Sequence, residues 1–279
     1  MGMSSLARTG RPPEPSGLAP DRRLATVLRT VNTKVNDMTK PTGFIFYRGP
    51  SALTGLPIVG VAIVKASKNG KTGAMVQTYI LVDNGQSPVT NARDLTDESI
   101  CGDCKHRRGK GGACYVNLGQ GARAVADGIV RGIYPQNAAA AARACTGRKV
   151  RLGAYGDPAA IPARAWRQLL AGSIGHSGYS HQWRNPAFKA IMTWCMASCD
   201  DEQDYIDAHE AGFRTFRVRT VDQPLIKGEF VCPASEEAGK VKLCETCLAC
   251  DGGIGSRKAS AAIIVHGSLK SRFIPIYAN

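Results

Sequence analysis

The sequence predicts an α/β fold: a partial or complete βα barrel-like parallel sheet, with an N-terminal β-hairpin region and cysteine-rich metal loops. Three observations predict it. Strand-like and helix-like segments alternate regularly from Lys149 onward, apolar β-branched segments flank turn-rich stretches in the first hundred residues, and most of the ten cysteines fall into two closely spaced groups.

Residues 1–40 place Arg8, Arg11, Arg22 and Arg23 among Pro, Gly and Ser without the apolar stretch of a secretory signal, and read as a disordered basic arm. Met38 stands just before the first strand-like segment. Residues 41–279 read as a single α/β metal-binding domain, with a β region over 41–100 and βα units over 149–279. Thr42 to Tyr47 and Pro57 to Ala66 read as strands, and the Asn-Gly within Lys68 to Thr72 leads into a third, Met75 to Val82, as a hairpin would. The Gly-Lys-Thr there is no phosphate loop, because Lys65 occupies the position that needs the first glycine. Ala122 to Arg131 and Asn137 to Cys145 have helical composition.

The regular part follows. Lys149 to Tyr155 reads as a strand, Ile161 to Ala171 as a helix, His176 to Trp183 as a strand and Pro186 to Ile191 as a short helix. Trp194 to Cys199 reads as a strand, Asp201 to Ala211 as a helix with Gly212 as its C-cap, and Phe213 to Arg219, Glu229 to Cys232 and Ala261 to His266 as further strands.

In parallel sheets, sites gather beyond the C-terminal strand ends. That rule selects Asp157 in the turn Gly156-Asp157-Pro158, Ser198 to Asp201, Cys232 and His266. Asp157 reads equally well as a turn former. Strand alternation would put Tyr179, His181 and Trp183 on one face, where with Gln182 and Arg184 they either stack on a heterocycle or form a core layer. Glu236 and Glu237 are a solvated turn or an acid/base group. Candidate catalytic side chains are thus Asp157, Tyr179, His181 and Glu236.

The cysteines give the most specific signal. Cys232-Pro233 together with Cys244, Cys247 and Cys250 in a C-x2-C-x2-C run offers four thiolates to an iron-sulfur cluster or to a tetrahedral zinc. The triple run favours the cluster, since zinc ribbons usually take paired knuckles from two turns. Gly252, Gly253 and Gly255 would let the backbone pass close by. The second group is Cys101, Cys104 and Cys114, around the basic loop Lys105 to Lys110. Three ligands leave one position open to a substrate or cofactor; the alternative is a closed zinc knuckle completed by His106 or a distant cysteine. Cys145, Cys195 and Cys199 sit in apolar surroundings and read as core.

Without an export signal the thiols point to a cytoplasmic protein. Thirty-six Lys and Arg against 22 Asp and Glu give a net charge of +14, which suits a nucleic-acid partner or a solvated basic surface. No apolar run is long enough to span a membrane. G-x-S-x-G, H-E-x-x-H and GxGxxG patterns do not occur.

The segments CGDCKHR with ACYVN, RLGAYGDP, GYSHQW, GFRTFRV, CPASEEAG and CETCLAC resemble a family of cysteine-rich proteins carried by phages and other mobile elements, over about Gly43 to Gly267. That resemblance implies the host-cell cytoplasm. The βα series behind a three-cysteine group is also similar in plan to radical S-adenosylmethionine (SAM) enzymes, which hold a cluster by three cysteines and bind SAM at the open iron. The spacing departs from theirs, C-x2-C-x9-C in place of C-x3-C-x2-C. The similarity implies a catalytic centre at Cys101, Cys104 and Cys114, an auxiliary centre at Cys232, Cys244, Cys247 and Cys250, and Gly156 and Asp157 beside the cofactor. The expected activity is modification of a nucleic acid or nucleotide; the alternative is a non-catalytic, zinc-stabilised nucleic-acid-binding module.

Overall fold

The computed structural model describes residues 40–66, 70–252 and 259–273. The expected disordered arm up to residue 39, Met38 within it, Lys68 and Asn69 of the hairpin turn, Gly253 and Gly255 lie outside the described residues.

Three apolar segments build an antiparallel meander: β1 (Gly43–Pro50), β2 (Pro57–Ile63) and β3 (Val76–Val82). In β2 five consecutive residues, Ile58 to Ala62, are buried, as in a strand covered on both faces. From β3 onward every pairing is parallel. β4 (Lys149–Tyr155) lies beside β3, and β5 (Gly175–Ser177) beside β4. A second sheet runs β6 (Tyr179–Ser180), β7 (Met196–Cys199), β8 (Thr215–Arg219), β10 (Ser260–Ile264) and β9 (Glu229–Val231), in that order.

The helices are α1 (Pro88–Arg93), α2 (Glu98–Cys101), α3 (Gly121–Val130), α4 (Ala138–Cys145), α5 (Ala163–Leu170), α6 (Glu202–Glu210) and α7 (Cys244–Cys247). Side-chain caps set several starts: Ser87 before α1, Asn137 before α4 and Asp201 before α6. Gly212 adopts φ +81° just beyond α6, as a C-cap glycine does. The expected helix from Pro186 is instead 3-10 helical over Pro186–Thr193. The main core joins the meander to α5 through Ile58, Ile80, Leu152, Ile161, Trp166 and Leu169. Among the described residues no helix is long and apolar enough to cross a membrane.

One expectation fails in a way that shapes the site. The single strand expected over His176 to Trp183 is broken at Gly178 and ends at Ser180. The Gly178 N–H donates to the Cys250 carbonyl, and a Cβ there would sit 2.8 Å from the Cys195 Sγ. The His181 N–H then donates to Asp157 rather than to a neighbouring strand, and Gln182–Arg184 turns 3-10 helical. Alternation therefore stops. Tyr179 and His181 face one cavity, whereas Trp183 packs with Met192, Ala197, Ala208 and Phe213 and donates its indole N–H to the Ser198 carbonyl.

Candidate metal centres

Cys101 is the last residue of α2, and the chain leaves through Gly102 at φ +59°. A Cβ there would lie 2.6 Å from the Gln182 side-chain nitrogen, and that amide donates to Asp103 at 2.7 Å. The loop after Cys104 turns much of its charge inward. Arg107 is buried and donates to Asp97 at 2.7 Å, and to the carbonyls of Leu95 and Gly102. The chain returns when the Cys114 N–H donates to the His106 carbonyl at 2.9 Å. Cys101, Cys104 and Cys114 consequently line one cavity of about 460 Å³.

The turn after β4 is bolted to the same place. Gly156 has φ +82° and approaches Ile80 so closely that a Cβ would lie 2.7 Å from that side chain. The Asp157 N–H donates to the Ile100 carbonyl at 2.6 Å, one residue before Cys101. Its carboxylate accepts from the Ala159 N–H, the Ser180 hydroxyl and the His181 N–H at 2.9, 2.7 and 2.8 Å. Burial pushes this carboxyl above the usual range in spite of those donors.

Further along the wall, His106 Nε2 lies 2.9 Å and His181 Nε2 3.8 Å from Asp200 Oδ1, while Lys105 Nζ lies 3.5 Å from the other oxygen. Burial alone would raise Asp200, but the two imidazoles outweigh it and hold the carboxyl well below the usual range. Burial would lower His181; the Cys104 thiol and Asp200 beside it outweigh that and raise it. Arg151 is also buried against the cavity, its guanidinium 4.2 Å from the Tyr179 ring centroid, and that ring stacks on Phe216 at 4.1 Å. His266 faces the cavity beside Tyr115.

The other four cysteines share a far smaller space. Cys232 follows β9, Cys244 and Cys247 bound the single turn α7, Leu248 takes a left-handed φ of +50°, and Cys250 follows. All four line a pocket of about 20 Å³ with Ser177 and Tyr179. Arg214 closes the loop, donating to Asp251 at 2.6 Å and to the carbonyls of Ala249, Gly252 and Ala259. Lys149 Nζ donates to the Glu245 carbonyl, and a ring nitrogen of His176 lies 2.7 Å from the Asp251 carbonyl. Burial pushes the Cys250 thiol to about 12. Tyr179 and Cys244 line both spaces.

The structure thus brings Gly156, Asp157, Tyr179 and His181 together with the first cysteine group. It does not bring Glu236 there: that side chain is 86% exposed and pairs with Lys240 at 3.1 Å. Glu237 pairs instead with Arg219. Cys145, Cys195 and Cys199 are buried core thiols, as read from the sequence. The meeting of His106 with Asp200 left no local signal. Arg151 did leave one, a charged residue between the apolar Val150 and Leu152 in the middle of the KVRLGAY strand.

No family model matches the chain, and no curated protein or solved structure matches it either.

Proposed function

We propose that the chain is a metal-cluster enzyme of a phage or mobile element, of the radical-SAM kind, acting on a nucleic acid or nucleotide. Cys101, Cys104 and Cys114 hold the catalytic cluster; Cys232, Cys244, Cys247 and Cys250 hold a second, coordinatively complete one. The observation that carries the reading is the placement of the first three cysteines, with Gly156 and Asp157, on the wall of a cavity of about 460 Å³. That volume suits a ligand of nucleotide size. Residues of β3, β4, β6, β7, β8 and β10 all line it. Parallel strands share one enclosed face when the sheet curves around it, which supports a barrel-like closure with the cysteines at the rim.

The donor sets fit metal. Burial above all, with repulsion from neighbouring thiols added, pushes Cys101, Cys114, Cys244 and Cys250 up, and a bound cation removes both penalties. The C-x2-C-x2-C run of Cys244, Cys247 and Cys250 supports a cluster over a single zinc. When bound, a cluster with one open position supplies an iron for SAM and a single electron.

The chain's own residues do the rest. Asp157 fixes the His181 backbone and the Ser180 hydroxyl, so its part is positioning. His181 sits beside the Cys104 thiol on the wall of the ligand space. Arg151 and Tyr179 offer a cation and a ring to an anionic, aromatic substrate. The net charge of +14 supports a polyanionic one.

Protein prepared without air should be brown, carry iron and acid-labile sulfide, and change its visible absorption when SAM is added. Cys104→Ala should lose the SAM response and keep part of the colour, whereas Cys247→Ala should keep the response. A colourless protein with stoichiometric zinc overturns the reading in favour of a zinc-stabilised nucleic-acid-binding module.

A further inference from the structure

The cavity wall carries a second set of ligand-type atoms, of different chemistry from the thiols. One ligand atom each of His106, His181 and Asp200 lie within 4.8 Å of one another. His106 Nε2 and Asp200 Oδ1 are 2.9 Å apart and buried, yet neither makes a hydrogen bond of acceptable geometry. Buried polar atoms are nearly always satisfied. The two attract as an ion pair, but not with the geometry of a hydrogen bond, and with His181 Nε2 they converge as ligands do around one point.

Each side chain is held so that the atom in question faces that point. The His106 ring stacks on Phe273 with centroids 5.3 Å apart. The second carboxylate oxygen of Asp200 is occupied by Lys105 at 3.5 Å, and the Asp200 backbone N–H donates to Asp204 at 2.9 Å. The His181 backbone is fixed by Asp157 at 2.8 Å. Such outer partners orient metal ligands and fix their donor atoms. The Asp200 side chain is 4% exposed, so it is no solvated surface acid. Two imidazoles and one carboxylate are a donor set for divalent first-row metals, and three protein ligands leave positions open.

We propose that His106, His181 and Asp200 bind a divalent first-row metal ion, separate from the cysteine centres, with its open coordination positions facing the cavity. All three side chains line that cavity, so the ion serves the same ligand space as Cys104, which lies against His181. The proposal does not rest on the cluster reading, because nitrogen and carboxylate donors take the ion whether the cysteines hold a cluster or zinc.

Manganese(II) is the probe, because its preference for oxygen and nitrogen donors keeps it from the thiolates. The full chain, purified without air, should take up one equivalent, seen as loss of the free-ion signal in electron paramagnetic resonance. His106→Gln and Asp200→Asn, which keep size and polarity, should each weaken uptake by about tenfold or more; Cys247→Ala should bind as the wild type does. A readout without substitution is carbethoxylation of the wild type: bound manganese should slow it at His106 and His181 but not at His266. No uptake, uptake unchanged in both variants, or no protection of the two histidines overturns the proposal. Iron and sulfide measured on the same samples separate the two failures. Brown protein without a manganese site defeats this inference alone, and zinc-loaded protein that still binds manganese through His106 defeats the cluster reading alone.

Discussion

Cys101, Cys104 and Cys114 face a cavity of about 460 Å³, whereas Cys232, Cys244, Cys247 and Cys250 share a pocket of about 20 Å³. A buried arginine pins each loop, and the two pins differ in where they find their acceptors. Arg107 pairs with Asp97, which precedes the cysteines and is itself buried. Arg214 bonds mainly within the cysteine loop, through the Ala249 and Gly252 carbonyls and the partly exposed Asp251. An open ligand set needs an anchor outside itself if its free side is to stay free. A closed set is wrapped by its own loop, so that loop, arginine and centre hold together as one unit.

The sharpest way to break this contrast is Asp97→Ala. It would strand Arg107, whose side chain is 1% exposed, and loss of one partner of a buried pair costs about 3–5 kcal/mol. The Leu95 and Gly102 carbonyls and Glu98 at 3.3 Å remain as partners, which places the loss at the lower end. Urea unfolding should show it, and the SAM response should fall while the colour of the second centre stays. Unchanged stability would mean that the first loop is held by its thiols and not by its arginine.

Arg214→Met should cost less. The stranded groups are three loop carbonyls and a carboxylate 31% exposed, which water can reach in part, so the four lost bonds count at the low end, about 0.5 kcal/mol each and about 2 kcal/mol in all. The expected signature is local: a chelator strips the second centre faster, with the first centre unaffected. Equal loss from both centres would break the separation of the two units.

How much of this was legible depended on how local its cause was. β2, β3, β4 and α6 are written in short-range apolar runs, caps and Gly212, and the structure places them within a few residues of where the sequence does. Both cysteine groups were legible because their spacing is local. The break between β5 and β6 was not, because its causes are the Cys250 carbonyl, the Cys195 thiol and Asp157, all distant in sequence. α1, α2 and α7 are too short for periodicity to register. Arg107 looked like one charge in a solvated basic loop, and only the buried Asp97 shows otherwise. The convergence of His106 and His181 on Asp200 is tertiary in the same sense, since the three come from separate loops.

A lone buried thiol sharpens the comparison from a third side. Cys145 is fully buried in the main core and lines neither cysteine space, and burial pushes it from 9.0 to about 11, with Arg148 opposing. The unfolded chain releases this proton near pH 9 while the folded chain keeps it to about pH 11. Between those values the folded state binds more protons than the unfolded, so stability falls as pH rises; below pH 9 the contribution is fully present. The slope is about 1.4 kcal/mol per pH unit inside that window. Cys145→Ala should lower stability at neutral pH by the small cavity it opens and should flatten this alkaline slope. A thiolate already bound to metal has no proton to release, so loading the two cysteine groups should leave the Cys145 slope in place. Urea midpoints measured below pH 9 and near pH 11, for the wild type and Cys145→Ala, decide it. Cys195 and Cys199, pushed up by burial too, keep their own share of the alkaline slope in both proteins; if the substitution leaves the slope undiminished, Cys145 releases no proton in this window, and burial is not what holds its thiol.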